Sequence, residues 1–109
     1  MNVVCKTKKM TNIISNDKSV IKEYGPDIGK KLMIRVSELR AANNLSEISR
    51  LGPQFLHSLK GDYKPCFAVR LTGNYRLIFE AYDCNDAPTV KVSNATQVRL
   101  REVVDYHGN

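Results

Sequence analysis

The apolar positions change period near the middle of the chain. In the first half they recur every three or four residues. Ile28, Leu32, Val36 and Leu39 make one stripe of a helix, with Lys31, Arg35 and Glu38 on another face. Pro26 opens this helix at the position where its missing N–H costs nothing. The pattern carries it to about Ala42, and Asn43-Asn44 closes it. Gly25 separates it from a shorter helix ending at Tyr24, for which Ser15, Asn16 and Asp17 supply capping oxygens. Ser46 is placed to cap a further short helix that stops at Gly52-Pro53. Residues 2–5 fit a short strand, and residues 6–14 read as either helix or loop.

From residue 67 the period is two. Phe67, Val69 and Leu71 alternate with Ala68, Arg70 and Thr72; Tyr75, Leu77, Phe79 and Ala81 alternate with Arg76, Ile78, Glu80 and Tyr82. The Thr72-Gly73-Asn74 break makes a β-hairpin of the two runs. A two-residue loop would pair Thr72 with Tyr75 and mix core residues with charges on one face. A three-residue loop pairs Leu71 with Tyr75 and gathers Phe67, Val69, Leu71, Tyr75, Leu77 and Phe79 on one face, so burial selects it. Asn74, at the end of this loop, is the residue expected in the left-handed conformation. The same register sets Arg70 opposite Arg76 on the other face. Two like charges in direct cross-strand contact repel, and a phosphate between them would turn the repulsion into paired hydrogen bonds. Glu80 or Asp62 could also neutralise the pair within the protein. Residues 83–97 read as a loop, with a short strand near Thr89–Val92. A last strand runs from about Gln97 to Tyr106. There Val98, Leu100, Val104 and Tyr106 alternate with Arg99, Arg101, Val103, Asp105 and His107. Glu102 interrupts the apolar set and marks either a bulge or the strand's emergence at an edge.

Helices first and strands second predict an α+β fold, one domain spanning residues 1–109. Its 109 residues suffice for one modest core without disulfide or metal support. No apolar stretch reaches the roughly 18 residues a membrane span needs. No apolar segment follows the first lysines as in a signal peptide, so a cytosolic protein is expected. Cys5, Cys66 and Cys84 are scattered, without a CxxC pair or a Cys/His cluster, which argues against zinc and for buried or half-buried thiols. The net charge of +6, from 17 basic and 11 acidic residues, favours a polyanionic partner such as RNA, DNA or the ribosome.

Three stretches carry candidate chemistry. They are Leu56-His57-Ser58-Leu59-Lys60-Gly61-Asp62, the hairpin ending Gly73-Asn74-Tyr75-Arg76-Leu77-Ile78-Phe79-Glu80, and Val103-Val104-Asp105-Tyr106-His107. In this order they resemble the HigB-like branch of the RelE/ParE toxin superfamily. The Lys22–Gly25 helix junction and the Glu38-Leu39-Arg40-Ala41-Ala42 helix end fit the same family. The resemblance implies a small twisted antiparallel sheet with the N-terminal helices packed on one face. It also implies an endonuclease that cuts messenger RNA in the ribosomal A site. Attack is by the 2′-hydroxyl, leaving a cyclic phosphate, with no metal and no cofactor. A helix-turn-helix, HigA-like antitoxin is the implied partner, with a toxin–antitoxin hetero-oligomer as the silent form.

Carried onto matching positions, the resemblance makes Lys60 and Arg76 the groups that neutralise the scissile phosphate. Arg70 joins them through its face on the hairpin, and Lys64 lies in the same basic turn. His107 becomes the leading general acid or base, because imidazole titrates near neutral pH. His57 shares that work or stacks on a base, Asp105 belongs to the terminal Asp-Tyr-His, and Tyr106 stacks on a base or buttresses the histidine. Each has a plainer reading too: a solvated histidine, a frayed terminus, a turn chosen for its glycine. Gly108-Asn109 after His107 departs from relatives that stop at the histidine. Two other functions fit the same fold. A ParE-like inhibitor of DNA gyrase would bind without catalysis, and the terminal histidine argues against it. An inactive antitoxin-binding module would not need His57, Lys60, Arg70, Arg76 and His107 together.

Overall fold

In the computed structural model, which describes residues 1–63 and 65–105 and only the backbone of Asp62, the change of period is a change of layer. Strand β1 (Asn2–Cys5) leads into helices α1 (Lys8–Ile13), α2 (Asp17–Tyr24) and α3 (Pro26–Ala41). Strands β2 (His57–Ser58), β3 (Phe67–Arg70), β4 (Tyr75–Tyr82) and β5 (Gln97–Asp105) follow. They form one sheet in the order β1-β5-β4-β3-β2. The α+β class expected from the pattern is what the chain adopts. The sheet is mixed, however: β1 runs parallel to β5, pairing Asn2 with Gln97 and Cys5 with Leu100, and the remaining pairs are antiparallel. The crossover through α1–α3 lets the first strand return in the same direction as the last.

Local chemistry explains the helix boundaries. The Asn16 side chain accepts the Ser19 N–H at 2.9 Å and starts α2. Gly25 ends it at φ +82°, a value that side chains resist, and Pro26 begins α3 at once. The ambiguous 6–14 stretch is helical because Thr7 caps it, accepting from the Met10 N–H. The segment after α3 differs from expectation. Asn44, not Ser46, is the cap, and it starts a single 3-10 turn over Leu45–Glu47 rather than a helix reaching Gly52. No strand forms at Thr89–Val92; an isolated antiparallel bridge joins Pro88 to Tyr82 just before it, and a 3-10 turn over Val92–Asn94 follows.

The helices cover one face of the sheet. Val20, Leu32, Val36 and Leu39 from the helices meet Phe67, Val69, Leu77, Phe79, Val98 and Leu100 from the strands, all essentially without solvent contact. Each fully buried side chain of this size contributes roughly 1.5–3 kcal/mol. Arg35 is the exception to the helix pattern: it is only 3% exposed. On the helical wheel it lies just beside the apolar stripe, so it enters the core edge rather than solvent. There its Nε donates to the Arg70 carbonyl at 2.8 Å, Nη1 to Glu38 at 2.9 Å and Nη2 to the Pro53 carbonyl at 3.3 Å. Arg35 therefore ties α3 to β3 and to the 49–56 loop. The thiols are less uniform than expected, since Cys84 is exposed in a turn while Cys66 is buried.

Candidate active site on the open face of the sheet

The hairpin has the register that burial selected. Val69 pairs with Leu77 and Arg70 with Arg76, and the Leu71 N–H reaches the Tyr75 carbonyl at 2.9 Å. One detail differs: the left-handed residue of the turn is Gly73, at φ +54°, not Asn74. Paired residues share a face, so Arg70 and Arg76 stand side by side away from the helices. The Arg76 Nη1 donates to the carbonyls of Gly73 and Tyr75, which draws its stem along the turn. The Arg70 guanidinium lies over the Phe55 ring, 5.5 Å from its centroid.

His57 joins the same face, because β2 pairs it with Ala68, two residues before Arg70 on β3. Its Nδ1 lies 3.0 Å from the Phe55 carbonyl oxygen. A carbonyl only accepts, so Nδ1 is the donor in this contact, and Nε2 is the nitrogen left to face other groups.

Lys60 is exposed in the connection between β2 and β3. This connection folds back over the open face. Leu59 and Tyr63 pack with Cys66, Ala68, Ile78 and Val104 in a small second apolar cluster on that side. The Tyr63 hydroxyl donates to Glu102 at 3.0 Å and closes the loop onto β5. The turn bearing Lys60 is thus held on the side of the arginine pair. Lys64, Tyr106 and His107 lie outside the described residues.

The interruption at Glu102 is a bulge. Ile78 pairs with Glu102 and Phe79 with Leu100, so Arg101 is the extra residue. It falls where β1 stops pairing with β5, after Leu100. A bulge reverses the alternation beyond it. Val103 therefore faces the main core opposite Leu77, and Val104 faces outward beside Arg76. The same reversal puts Asp105 opposite Tyr75, on the helix side, where it lines a groove with Tyr24, Pro26 and the 72–74 turn. Asp105 is thus separated by the sheet from Arg70, Arg76 and His57.

The alternation that placed Glu80, Tyr82 and Arg99 on this face did not show how they pair. Glu80, with a side chain 16% exposed, is shared by Lys6 at 3.6 Å, Arg101 at 3.6 Å and Arg99 at 4.0 Å. Glu80 is thus engaged by these three cations. The hydroxyl of Tyr82 also donates to Glu80, and this hydrogen bond, aided by partial burial, pushes the Tyr82 pKa above the ordinary tyrosine value. Tyr63 is raised likewise, first by its bond to Glu102. Lys6, Arg70, Arg76, Arg99 and Arg101 outnumber Glu80 and Glu102 on this side, so the face is net positive. Phe55 had no periodic signal; the loop that Arg70 anchors through the Gln54 carbonyl brings it to the arginine.

A sheet backed by helices on one face and basic on the other is compatible with a RelE-like toxin domain. The family model described as the RelE-like toxin of the type II toxin–antitoxin system HigB matches residues 6–93, and the chain belongs to this HigB-like toxin family. A toxin of such a system implies an antitoxin partner. The match takes in His57, Lys60, Arg70 and Arg76 and stops before Asp105, Tyr106 and His107. No curated protein matches the chain, and no solved structure does. Among the described residues no helix is long and apolar enough to cross a membrane.

Proposed function

We propose that this toxin is a ribosome-dependent messenger-RNA endonuclease, acting without a metal in the cytoplasm and kept silent by a HigA-like helix-turn-helix antitoxin. The observation that carries the reading is the Arg70–Arg76 cross-strand pair with His57 on the same face. In this mechanism the scissile phosphate sits between the two guanidiniums, with Lys60 and Lys64 supplying further positive charge from the β2–β3 turn. His57 accepts the 2′-hydroxyl proton on Nε2, the nitrogen not engaged by the Phe55 carbonyl. The 2′-oxygen attacks phosphorus, negative charge grows on the phosphoryl oxygens, and the arginines stabilise it. His107 returns a proton to the departing 5′-oxygen, and a 2′,3′-cyclic phosphate remains. Tyr106 stacks on a base. Asp105, from the other side of the sheet, acts by orienting the chain end that bears Tyr106 and His107.

The face offers charge and a proton carrier but only a shallow grip on a long RNA. A codon held in the ribosomal A site supplies the missing positioning. Expression of the wild type and of a His57→Gln/His107→Gln variant, followed by mapping of messenger-RNA 5′ ends, tests this. New ends within translated codons, absent from the variant and from untranslated RNA, are expected. Toxicity without such ends, accompanied by DNA-damage signalling, would replace the nuclease by a gyrase inhibitor.

A further inference from the structure

We propose that Phe55 is a stacking shelf for a nucleobase of the single-stranded RNA whose phosphate the Arg70–Arg76 pair holds, and that its backbone positions His57. This inference rests on the nuclease reading above and adds a base-recognition element to it.

Phe55 stands in an unfavourable conformation. Phe55 has φ +49°, in the left-handed region that a bulky side chain resists and that glycine or asparagine would occupy with less strain. Strain of this kind persists where the surroundings enforce it, and it concentrates at functional sites. The surroundings here do enforce it. The Phe55 N–H bonds to the Leu51 carbonyl at 3.0 Å, and the Leu56 N–H to the Ser49 carbonyl at 2.9 Å. Gln54 donates to Glu38 at 2.9 Å, and buried Arg35 holds the Pro53 carbonyl. The Arg70 N–H bonds to the Gln54 carbonyl at 2.8 Å, which fixes the loop to β3. A rigid loop thus presents an aromatic ring that is still 40% exposed.

The chemistry at the ring suits a nucleotide. The Arg70 guanidinium sits over it, 5.5 Å from the centroid. Guanidinium donors point outward in their own plane, so a cation resting on a ring keeps its hydrogen-bonding edges for a phosphate. A base stacked on the uncovered part of Phe55 would therefore carry its phosphate toward Arg70. The same residue's carbonyl receives the Nδ1 proton of His57, so the shelf and the base catalyst are set by one backbone unit. Aromatic stacking accepts any base, because every base has a π-face. The shelf then contributes position rather than codon choice.

The chain contains no tryptophan, so Phe55→Trp places a single fluorophore on the shelf. Titration with fluorescein-labelled oligoadenylate, followed by anisotropy and by tryptophan emission, is expected to show binding with quenching. An abasic ribose-phosphate oligomer of equal length is expected to leave emission unchanged. Quenching by the abasic oligomer to the same extent, or RNA binding without quenching, would overturn the shelf. In reconstituted translation, Phe55→Asn suits the left-handed backbone but removes the ring. It is expected to fold, by its thermal transition, and to cut about tenfold more slowly, the order expected for one lost base–aromatic stack, with Phe55→Tyr near wild type. A Phe55→Asn protein that cuts at the wild-type rate would overturn the shelf and leave the nuclease reading standing. Absence of cutting by the wild type would overturn the nuclease reading and the shelf's role with it.

Discussion

The two faces of the sheet are built from the same strands and obey different rules. On the helix side Phe67, Val69, Leu77, Phe79, Val98 and Leu100 close a core with α2 and α3, and nearly every position is apolar. On the open side His57, Arg70, Arg76, Glu80, Arg99 and Arg101 stand around a much smaller cluster of Leu59, Cys66, Ala68 and Ile78. The first face is held by burial. The second sets two arginines opposite each other, a like-charge contact that adds little to folding. The difference separates stability from activity along each strand, residue by residue.

The comparison breaks most visibly at the core. Phe79→Ala removes a fully buried ring and is expected to cost about 3–5 kcal/mol, lowering the thermal midpoint by roughly 15 °C or more. Calorimetry reads this directly. A shift of only a degree or two would mean that the helix face does not hold the fold.

Arg35→Leu probes the buried group that ties α3 to β3 and to the 49–56 loop. It leaves the carbonyls of Arg70 and Pro53 without their donor, and a loss of roughly 2–3 kcal/mol is expected. Because it frees the loop that carries Phe55 and His57, cutting by the folded fraction should also fall. Denaturant unfolding and 5′-end mapping on the same variant separate the two effects.

The smallest effect concerns alkaline pH. The hydrogen bond to Glu80 raises the Tyr82 pKa above its ordinary value of 10.0, so the folded state holds this proton more tightly than the unfolded state does. The stabilisation is complete below the unfolded pKa and disappears as pH rises through the folded one. Thermal midpoints of wild type and Tyr82→Phe are therefore expected to change in parallel up to about pH 9. Above that the wild type should lose slightly more. Parallel curves to the highest pH would remove Tyr82 from the electrostatics of this face.

How much of this was legible in the sequence depends on range. Gly25-Pro26 and Asn16 act on their immediate neighbours, and they marked the helix boundaries. The hairpin register was legible because only one alignment of residues 67–79 collects the apolar set, and the Arg70–Arg76 pair followed from it. Alternation failed at Arg101, where one extra residue reverses the face of everything after it and carries Asp105 to the helix side. Long-range contacts left no trace. Nothing in the periodicity says that Arg35 turns inward, that β1 returns parallel to β5, or that Phe55 comes to rest under Arg70. The candidate residues were found by type and motif, and the placement of His57 beside the arginines needed the sheet.

On the proposed nuclease reading, the open face acts on RNA and contributes little to the fold. The direct test is the double variant Arg70→Gln/Arg76→Gln, assayed for both unfolding free energy and in-frame messenger-RNA cuts. A stability within about 1 kcal/mol of wild type is expected, since both half-buried side chains lie outside the main core and a like-charge contact is removed. Cutting is expected to be lower by about 100-fold or more, the magnitude associated with losing charge stabilisation of a transition state. Undiminished cutting by a folded double variant would contradict that reading.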